Sequence, residues 1–308
     1  MNNDLLKNLI VNVKVKNLGV KNVVVRQGGE VIAKHDFEEE KETLLWSVSK
    51  TFTSTAVGIA IEEGYFQLTD NVIDFFPGIT PKNPNENLKN MKVHDLLCMG
   101  TGHDRCPVIN ADWSEGKVWD ITKLFFDEPV IFKPGSHFTY NNGATYILSK
   151  IIGLTTGISL DDYLDKKIFQ YLNIPKPRWD RCPLGIPQGF SGLHLTSEQL
   201  SRFGQLILNK GIWNDNELIP RNYIEKATTV QIETRDFNPH FATKDHHQGY
   251  GYQLWMNSYK GSYRMDGSYG QYVVILPDKD AVVTYISNEP TNMTGVLELT
   301  WDTLIEKL

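Results

Sequence analysis

Two groups of strand-forming residues, one near each end of the chain, constrain the fold more than any other feature. Near the start, Val23-Val24-Val25 and Val31-Ile32-Ala33 flank a Gly28-Gly29 turn, the signature of a hairpin. Near the end the period-two segments are Tyr250 to Met256, Ser262 to Met265, Gln271 to Leu276 and Ala281 to Ser287. The last two are joined by the turn Pro277-Asp278-Lys279-Asp280. Between these groups the pattern is helical. Strands at both ends with helices between them predict an α/β (α+β) fold, in which one antiparallel sheet is built from both chain termini and flanked by helices. A mostly helical subdomain is expected at about 70–190, inserted between α/β parts at about 1–69 and 191–308, all within one domain spanning 1–308.

The helices announce themselves by apolar spacing and by their caps. Leu160, Tyr163, Leu164 and Ile168 share one face of a predicted helix over Ser159 to Leu172, with Ser159 and Asp162 as a capping pair. Thr196 and Gln199 form the capping box of another, whose apolar face is Leu200, Phe203, Leu206 and Ile207 and whose end is Gly211. Further helical pieces are expected at Val93–Met99, Trp113–Phe126, Ala144–Leu154 and after Pro220, and a closing helix at Leu297, Thr300, Leu304 and Leu308.

The stretch Trp46 to Gly64 is different, because after Ser47 it is apolar almost all round: Phe52, Ala56, Val57, Ile59, Ala60 and Ile61 leave no polar face. Such a helix belongs in the middle of a fold, and Gly64 supplies its stop. At its start Ser47 and Lys50 stand three apart, one helical turn from each other. A serine hydroxyl becomes a useful nucleophile when an amine that is desolvated enough to be neutral lies within hydrogen-bond reach. The same stretch also reads as an N-cap serine with Lys50 on a solvated face. The spacing recurs at Ser114-Glu115-Gly116-Lys117, but with a glycine inside it and no apolar helix behind it.

The bulk properties exclude several classes of function. The chain carries a net charge of −6 and no basic run, which argues against nucleic-acid or membrane partners and leaves small molecules. Met1 to Asn8 lack the basic and apolar regions of a signal peptide, so a cytoplasmic location is expected. Cys98, Cys106 and Cys182 are odd in number and lack metal-ligand spacing, which predicts free thiols and no metal. No cofactor motif is present, and none is expected.

Acyl transfer through a serine needs a proton carrier and oxyanion donors besides the nucleophile. A phenol qualifies as the carrier, and Tyr140-Asn141-Asn142 follows the turn Pro134-Gly135, where a side chain can point into a cleft. Tyr171-Leu172-Asn173 has the same spacing but ends an amphipathic helix, where Tyr171 reads as packing. In order along the chain stand Ser47-Val48-Ser49-Lys50, Tyr140-x-Asn142, Gly192-Leu193-His194-Leu195-Thr196-Ser197 and Asp266-Gly267-Ser268-Tyr269-Gly270. This succession, spread over roughly residues 20 to 306, resembles the β-lactamase-like serine hydrolases. The likeness is greatest to the class C branch, with its β-lactamases, D-alanyl-D-alanine carboxypeptidases, D-aminopeptidases, family VIII esterases and nylon-oligomer hydrolases.

The resemblance implies that Ser47 forms an acyl-enzyme, that Lys50 is the base or tunes it, and that Tyr140 relays a proton. It further implies that Asn142 holds Lys50 and the substrate, and that the N–H groups of Ser47 and Ser268 form the oxyanion hole. Met265, Gly267 and Ser268 would line the substrate site. One position departs from the family. Where its third motif has Lys or His, then any residue, then Gly, this chain has Met265-Asp266-Gly267. Methionine cannot bind a substrate carboxylate, and strand alternation is expected to turn Arg264 and Asp266 away from the side that Met265 faces. Gly267 suits a close backbone approach.

The expectation is therefore an esterase or amidase for small neutral acyl groups. The alternatives are β-lactamase or D-amino-acid peptidase action, or a ligand-binding homologue without catalysis. His246 and His247, in the charged loop Arg235 to His247, are candidate replacement cations, although loop histidines are commonly just solvated. Trp46, Trp113, Trp119, Tyr252, Trp255 and Tyr269 are candidates to line an apolar pocket, but aromatics are ordinary core residues and only one or two are expected to do so.

Overall fold

The structure is a computed structural model that describes residues 4–108 and 120–308. Six strands form the main sheet: β1 (Val20–Gln27), β2 (Glu30–Asp36), β3 (Trp255–Met256), β4 (Tyr263–Gly267), β5 (Gln271–Leu276) and β6 (Ala281–Ser287). Their order across the sheet is β2-β1-β6-β5-β4-β3, with every neighbouring pair antiparallel. The first and last strands of the chain lie side by side, Val24 opposite Thr284, so the sheet is made from both termini as the sequence predicts.

Both faces of this sheet are covered, and that explains why its strands read as almost continuous apolar runs. On one face Val273, Ile275 and Val282 join the core of the central helix α2 (Ser49–Glu62). On the other, Tyr272, Val274, Val283 and Tyr285 pack with Leu9 and Val13 of α1 (Lys7–Val15) and Leu297 and Leu299 of α5 (Met293–Thr303). A fourth helix, α4 (Ser197–Leu208), lies on the α2 side with the expected Thr196/Gln199 capping box. It approaches closely because Gly204 has no side chain: a Cβ there would sit 2.6 Å from Val273 Cγ1.

The central helix is buried from Ser49 to Ala60, and its Phe52 ring stacks on Phe203 of α4 at 3.6 Å. Gly64, at φ +80°, ends it as expected. Between 70 and 190 the described residues form helices and turns, with only isolated bridges such as His103 to Val130. The longest is α3 (Asn142–Thr156), which packs on α2. No helix among the described residues is long and apolar enough to cross a membrane, and Cys98, Cys106 and Cys182 are free.

Some boundaries differ from the pattern. The expected strand over Tyr250 to Met256 shrinks to Trp255–Met256, because Gly249 and Gln253 take positive φ (99° and 61°) and bend the backbone before it. Gly251 permits the bend, since a Cβ there would meet the Ala227 carbonyl at 2.0 Å. The expected helix over Ser159 to Leu172 is α-helical only from Leu160 to Leu164 and then widens into a π-turn over Asp165–Phe169. Ser159 gives its hydroxyl proton to Asp161 and Asp162 rather than forming a capping box. The helix expected from Trp113 is described from Ile121 to Asp127, capped by Asp120; Trp113, Trp119 and the Ser114–Lys117 repeat lie outside the described residues.

Candidate active site

Ser47 lies in a single 3-10 turn, Trp46–Val48, that leads straight into α2. Its side chain caps no backbone N–H of that helix, which disposes of the N-cap reading, and its own N–H belongs to the first turn, where amides lack an intrahelical acceptor. One turn on, the Lys50 ammonium donates to Ser47 Oγ at 2.8 Å and to the Phe190 carbonyl at 2.9 Å. Lys50 is 1% exposed and lies over the Tyr140 ring at 4.9 Å. Burial lowers its pKa to about 7, against opposing contributions from Cys106 and Asp266, so the amine is poised to take a proton at neutral pH.

Tyr140 reaches the same place from the loop before α3, stacked on Trp255 at 5.9 Å and edge-on to Tyr250. Burial pushes its phenol well above the ordinary tyrosine value, while the Ser47 hydroxyl and the Arg264 charge oppose this. The phenol is therefore protonated in the resting site. Asn142 opens α3, capped by its neighbour Asn141, and its N–H donates to Cys106 Sγ at 3.3 Å. Lys50 is held by the Phe190 carbonyl and not by Asn142, whose buried Oδ1 has no partner among the described residues.

These groups open into a cavity of about 430 Å³, lined by Ser47, Tyr140, Trp255, Asp266, Gly267 and Ser268, with residues of the 235–247 loop and the start of α5 closing it. Gly267 is needed by geometry: a Cβ there would lie 2.6 Å from the Leu45 carbonyl, just ahead of Ser47. On either side of the site stand two non-glycine residues at positive φ, Trp46 (50°) and Tyr269 (63°), whose rings pack together at 5.0 Å. Each left-handed residue costs about 1 kcal/mol or more. This ring contact, tilted rather than stacked, ties the Ser47 turn to the Ser268 turn.

The third-motif strand is oriented differently from the sequence expectation. Met265 is 1% exposed, belongs to the core and does not line the cavity; Asp266 does. Asp266 Oδ2 accepts from Arg264 Nε at 2.9 Å, two positions back on the same face of β4. Arg264 is wholly buried over Trp255 and also donates to the carbonyls of Asp245 and Met256 and to Asn257 Oδ1. His246 is buried in the cavity wall, while His247 is tied to the Phe237 carbonyl outside it. Burial and then the Arg264 charge lower the His246 pKa to about 4, so His246 supplies no cation at neutral pH. Of the aromatic candidates, Trp255 lines the cavity, Trp46 and Tyr269 brace it, and Tyr252 is core.

Sequence reasoning missed the Phe190 carbonyl, which no side-chain motif marks, and the roles of Arg264 and Asp266. Their signal was present: two opposite charges at i and i+2 on a buried strand must satisfy each other. Phe237 and Phe241, also on the wall, carried no pattern of their own.

A helix-covered antiparallel sheet with a serine and a desolvated lysine in contact at its centre defines a serine hydrolase of the β-lactamase-like class. The β-lactamase family profile matches residues 11–305, and the chain belongs to that family. A 6-aminohexanoate-dimer hydrolase of Paenarthrobacter ureafaciens is 22% identical over 87% of this chain and 72% of its own length. A β-lactamase of Escherichia coli K12 is 23% identical over 68% of this chain and 56% of its own length. Among solved structures, EstCE1, described as a hydrolase with promiscuous acyltransferase activity, superposes with a TM-score of 0.77 at 15% identity, covering 96% of this chain and 97% of that one.

Proposed function

We propose that Ser47 is the nucleophile of this hydrolase and that it works through an acyl-enzyme on a small ester or amide. The observation that carries the reading is the 2.8 Å contact between Ser47 Oγ and a buried Lys50 whose pKa is lowered to about 7. Ser47 Oγ attacks the carbonyl carbon as its proton passes to Lys50 Nζ. The resulting oxyanion is met by the N–H groups of Ser47 and Ser268. Because Tyr140 rests protonated, it gives its proton to the leaving oxygen or nitrogen as the tetrahedral species collapses, and is reprotonated from Lys50. Water then attacks the acyl-enzyme by the same path in reverse, releasing the acid and restoring Ser47.

The wall of the cavity carries aromatic rings and, among its described residues, no Lys or Arg to bind a substrate carboxylate. That favours acyl groups without a carboxylate. The relative named for the 6-aminohexanoate dimer supports an amide or ester as the scissile bond. β-Lactam or D-amino-acid peptide hydrolysis through the same acyl-enzyme is the second reading, supported by the relative named β-lactamase. The test is intact mass after incubation with a fluorophosphonate, beside an assay of nitrophenyl esters, nitrocefin and D-alanyl amides. One adduct in the wild type, none in Ser47→Ala, and turnover of the short esters are expected. An equal adduct in Ser47→Ala overturns the nucleophile, and binding without any turnover makes the protein a ligand binder.

A further inference from the structure

The cavity has a charge asymmetry that the acyl-transfer residues do not require. Asp266 is the one acidic side chain among its described lining residues, and it shares the wall with the rings of Tyr140, Phe237, Phe241, Trp255 and Tyr272 and with His240 and His246. Asp266 presents its two oxygens unequally. Oδ2 is taken by Arg264 Nε at 2.9 Å, whereas Oδ1 has no partner among the described residues.

The surrounding groups leave this face negative. Behind the wall Arg264 bonds one carboxylate, that of Asp266, and the backbone carbonyl of Asp245, whose own buried carboxylate accepts at Oδ1 from the Ser258 N–H at 2.6 Å. The Thr243 N–H donates to His246 Nδ1 at 3.2 Å, which leaves the His246 proton on Nε2, 3.7 Å from Asp266 Oδ2. His246 is neutral at pH 7 because burial lowers its pKa to about 4. Arg264 against the carboxylates of Asp266 and Asp245 gives −1, which Lys50, about half charged at pH 7, offsets only in part. The charge on Asp266 acts on both Lys50 and Tyr140 in the direction that favours the protonated form, and Asp266 lines the same cavity as Ser47.

We infer that the cavity selects acyl substrates carrying a positively charged nitrogen a few bonds from the scissile carbonyl, received by Asp266 Oδ1 and the aromatic wall. A free carboxylate oxygen attracts the cation, and the Phe237 and Phe241 rings of the wall can add cation–π attraction in a partly desolvated space. The same arrangement repels a substrate carboxylate. The inference rests on Ser47 being the nucleophile for its ester measurement, and a binding measurement makes it separable from that reading.

The kinetic arm compares the 4-nitrophenyl esters of 4-(trimethylammonio)butanoate and of its neutral isostere 5,5-dimethylhexanoate. The wild type is expected to favour the cationic ester in kcat/KM by about tenfold or more, and Asp266→Asn to bring the ratio close to one. The binding arm measures, by calorimetry, 5-(trimethylammonio)pentan-2-one against 6,6-dimethylheptan-2-one, ketones that are not hydrolysed. A preference of about fivefold or more for the cation in the wild type is expected, again lost in Asp266→Asn.

Equal or reversed preference in the wild type overturns the inference without any variant, so a poorly folding Asp266→Asn does not shield it. A preference that survives in folded Asp266→Asn overturns it as well. Ketone selectivity with no ester turnover would refute the hydrolase reading and uphold the charge recognition. Turnover of both esters at equal rates, with no ketone preference, would do the opposite.

Discussion

Replacing Lys50 by methionine separates the cost of the site from its use. The lysine pKa is lowered from 10.5 to about 7 by burial, and the side chain is 1% exposed. A shift of about 3.5 units corresponds to about 5 kcal/mol held against the folded state when the amine is charged in both states. Because the folded pKa is the lower one, that penalty is full below pH 7 and is relieved as the pH rises towards the unfolded value. Linkage leaves about 4 kcal/mol of it at pH 7 and about 2 kcal/mol at pH 9. Methionine has similar length and no charge, but it deprives Ser47 Oγ and the Phe190 carbonyl of a donor, which costs about 1–3 kcal/mol. Lys50→Met is therefore expected to be inactive and yet more stable than the wild type by about 2 kcal/mol at pH 7, with the advantage gone by pH 9. Urea unfolding of both proteins at pH 6, 7, 8 and 9 measures this directly. Stability curves that run parallel between pH 7 and 9 would show that Lys50 titrates as an ordinary lysine, and the argument for it as a base would fall.

The same lowered pKa predicts that kcat/KM for a neutral ester rises with pH to a plateau with a midpoint near 7, read from a pH–rate profile. Tyr140→Phe keeps the stacking on Trp255 and removes the proton, so kcat is expected to fall by about 10²–10⁴ with little change in thermal stability. Met265→Lys places an ammonium in the core rather than in the cavity; it should destabilise by about 3 kcal/mol or more in urea unfolding and leave ester selectivity in any folded fraction unchanged. Gly267→Ala sets a Cβ against the Leu45 carbonyl and should cost activity more than stability, measured as a lower kcat with an intact far-ultraviolet spectrum.

The elements that could be read from the sequence were those whose local chemistry has one solution. A helix that is apolar almost all round, as from Phe52 to Ile61, suits the middle of a fold, and the capping box at Thr196 and Gln199 fixes where a helix begins. The two-ended sheet followed from period and turn residues alone. Alternation held on β4, with Arg264 and Asp266 on one face and Met265 on the other, but the face that meets the site could not be read because both faces of the sheet are buried: along Tyr263, Arg264, Met265, Asp266 and Gly267 polarity does not mark it. Placing Met265 on the site side followed the motif, whereas the structure gives that side to Arg264 and Asp266. The positive φ angles at Trp46 and Tyr269 were also hidden, since nothing in an aromatic residue announces a left-handed backbone.

That reversal bears on the proton chemistry. In the motif this chain resembles, a lysine or histidine on the strand places a cation beside the tyrosine. Here the strand cation is Arg264, one position earlier, and its charge does act on Tyr140 in the direction that favours ionisation. It is opposed by Asp266, to which Arg264 is bonded at 2.9 Å, and by a burial cost larger than either. With its cation largely neutralised, the phenol stays protonated and cannot serve as the resting base. In the proposed mechanism that task falls to Lys50, whose pKa burial lowers to about 7. Under the proposed mechanism, the departure at Met265-Asp266-Gly267 would divide the proton work accordingly: Lys50 would take the Ser47 proton, and Tyr140 would deliver one to the leaving group.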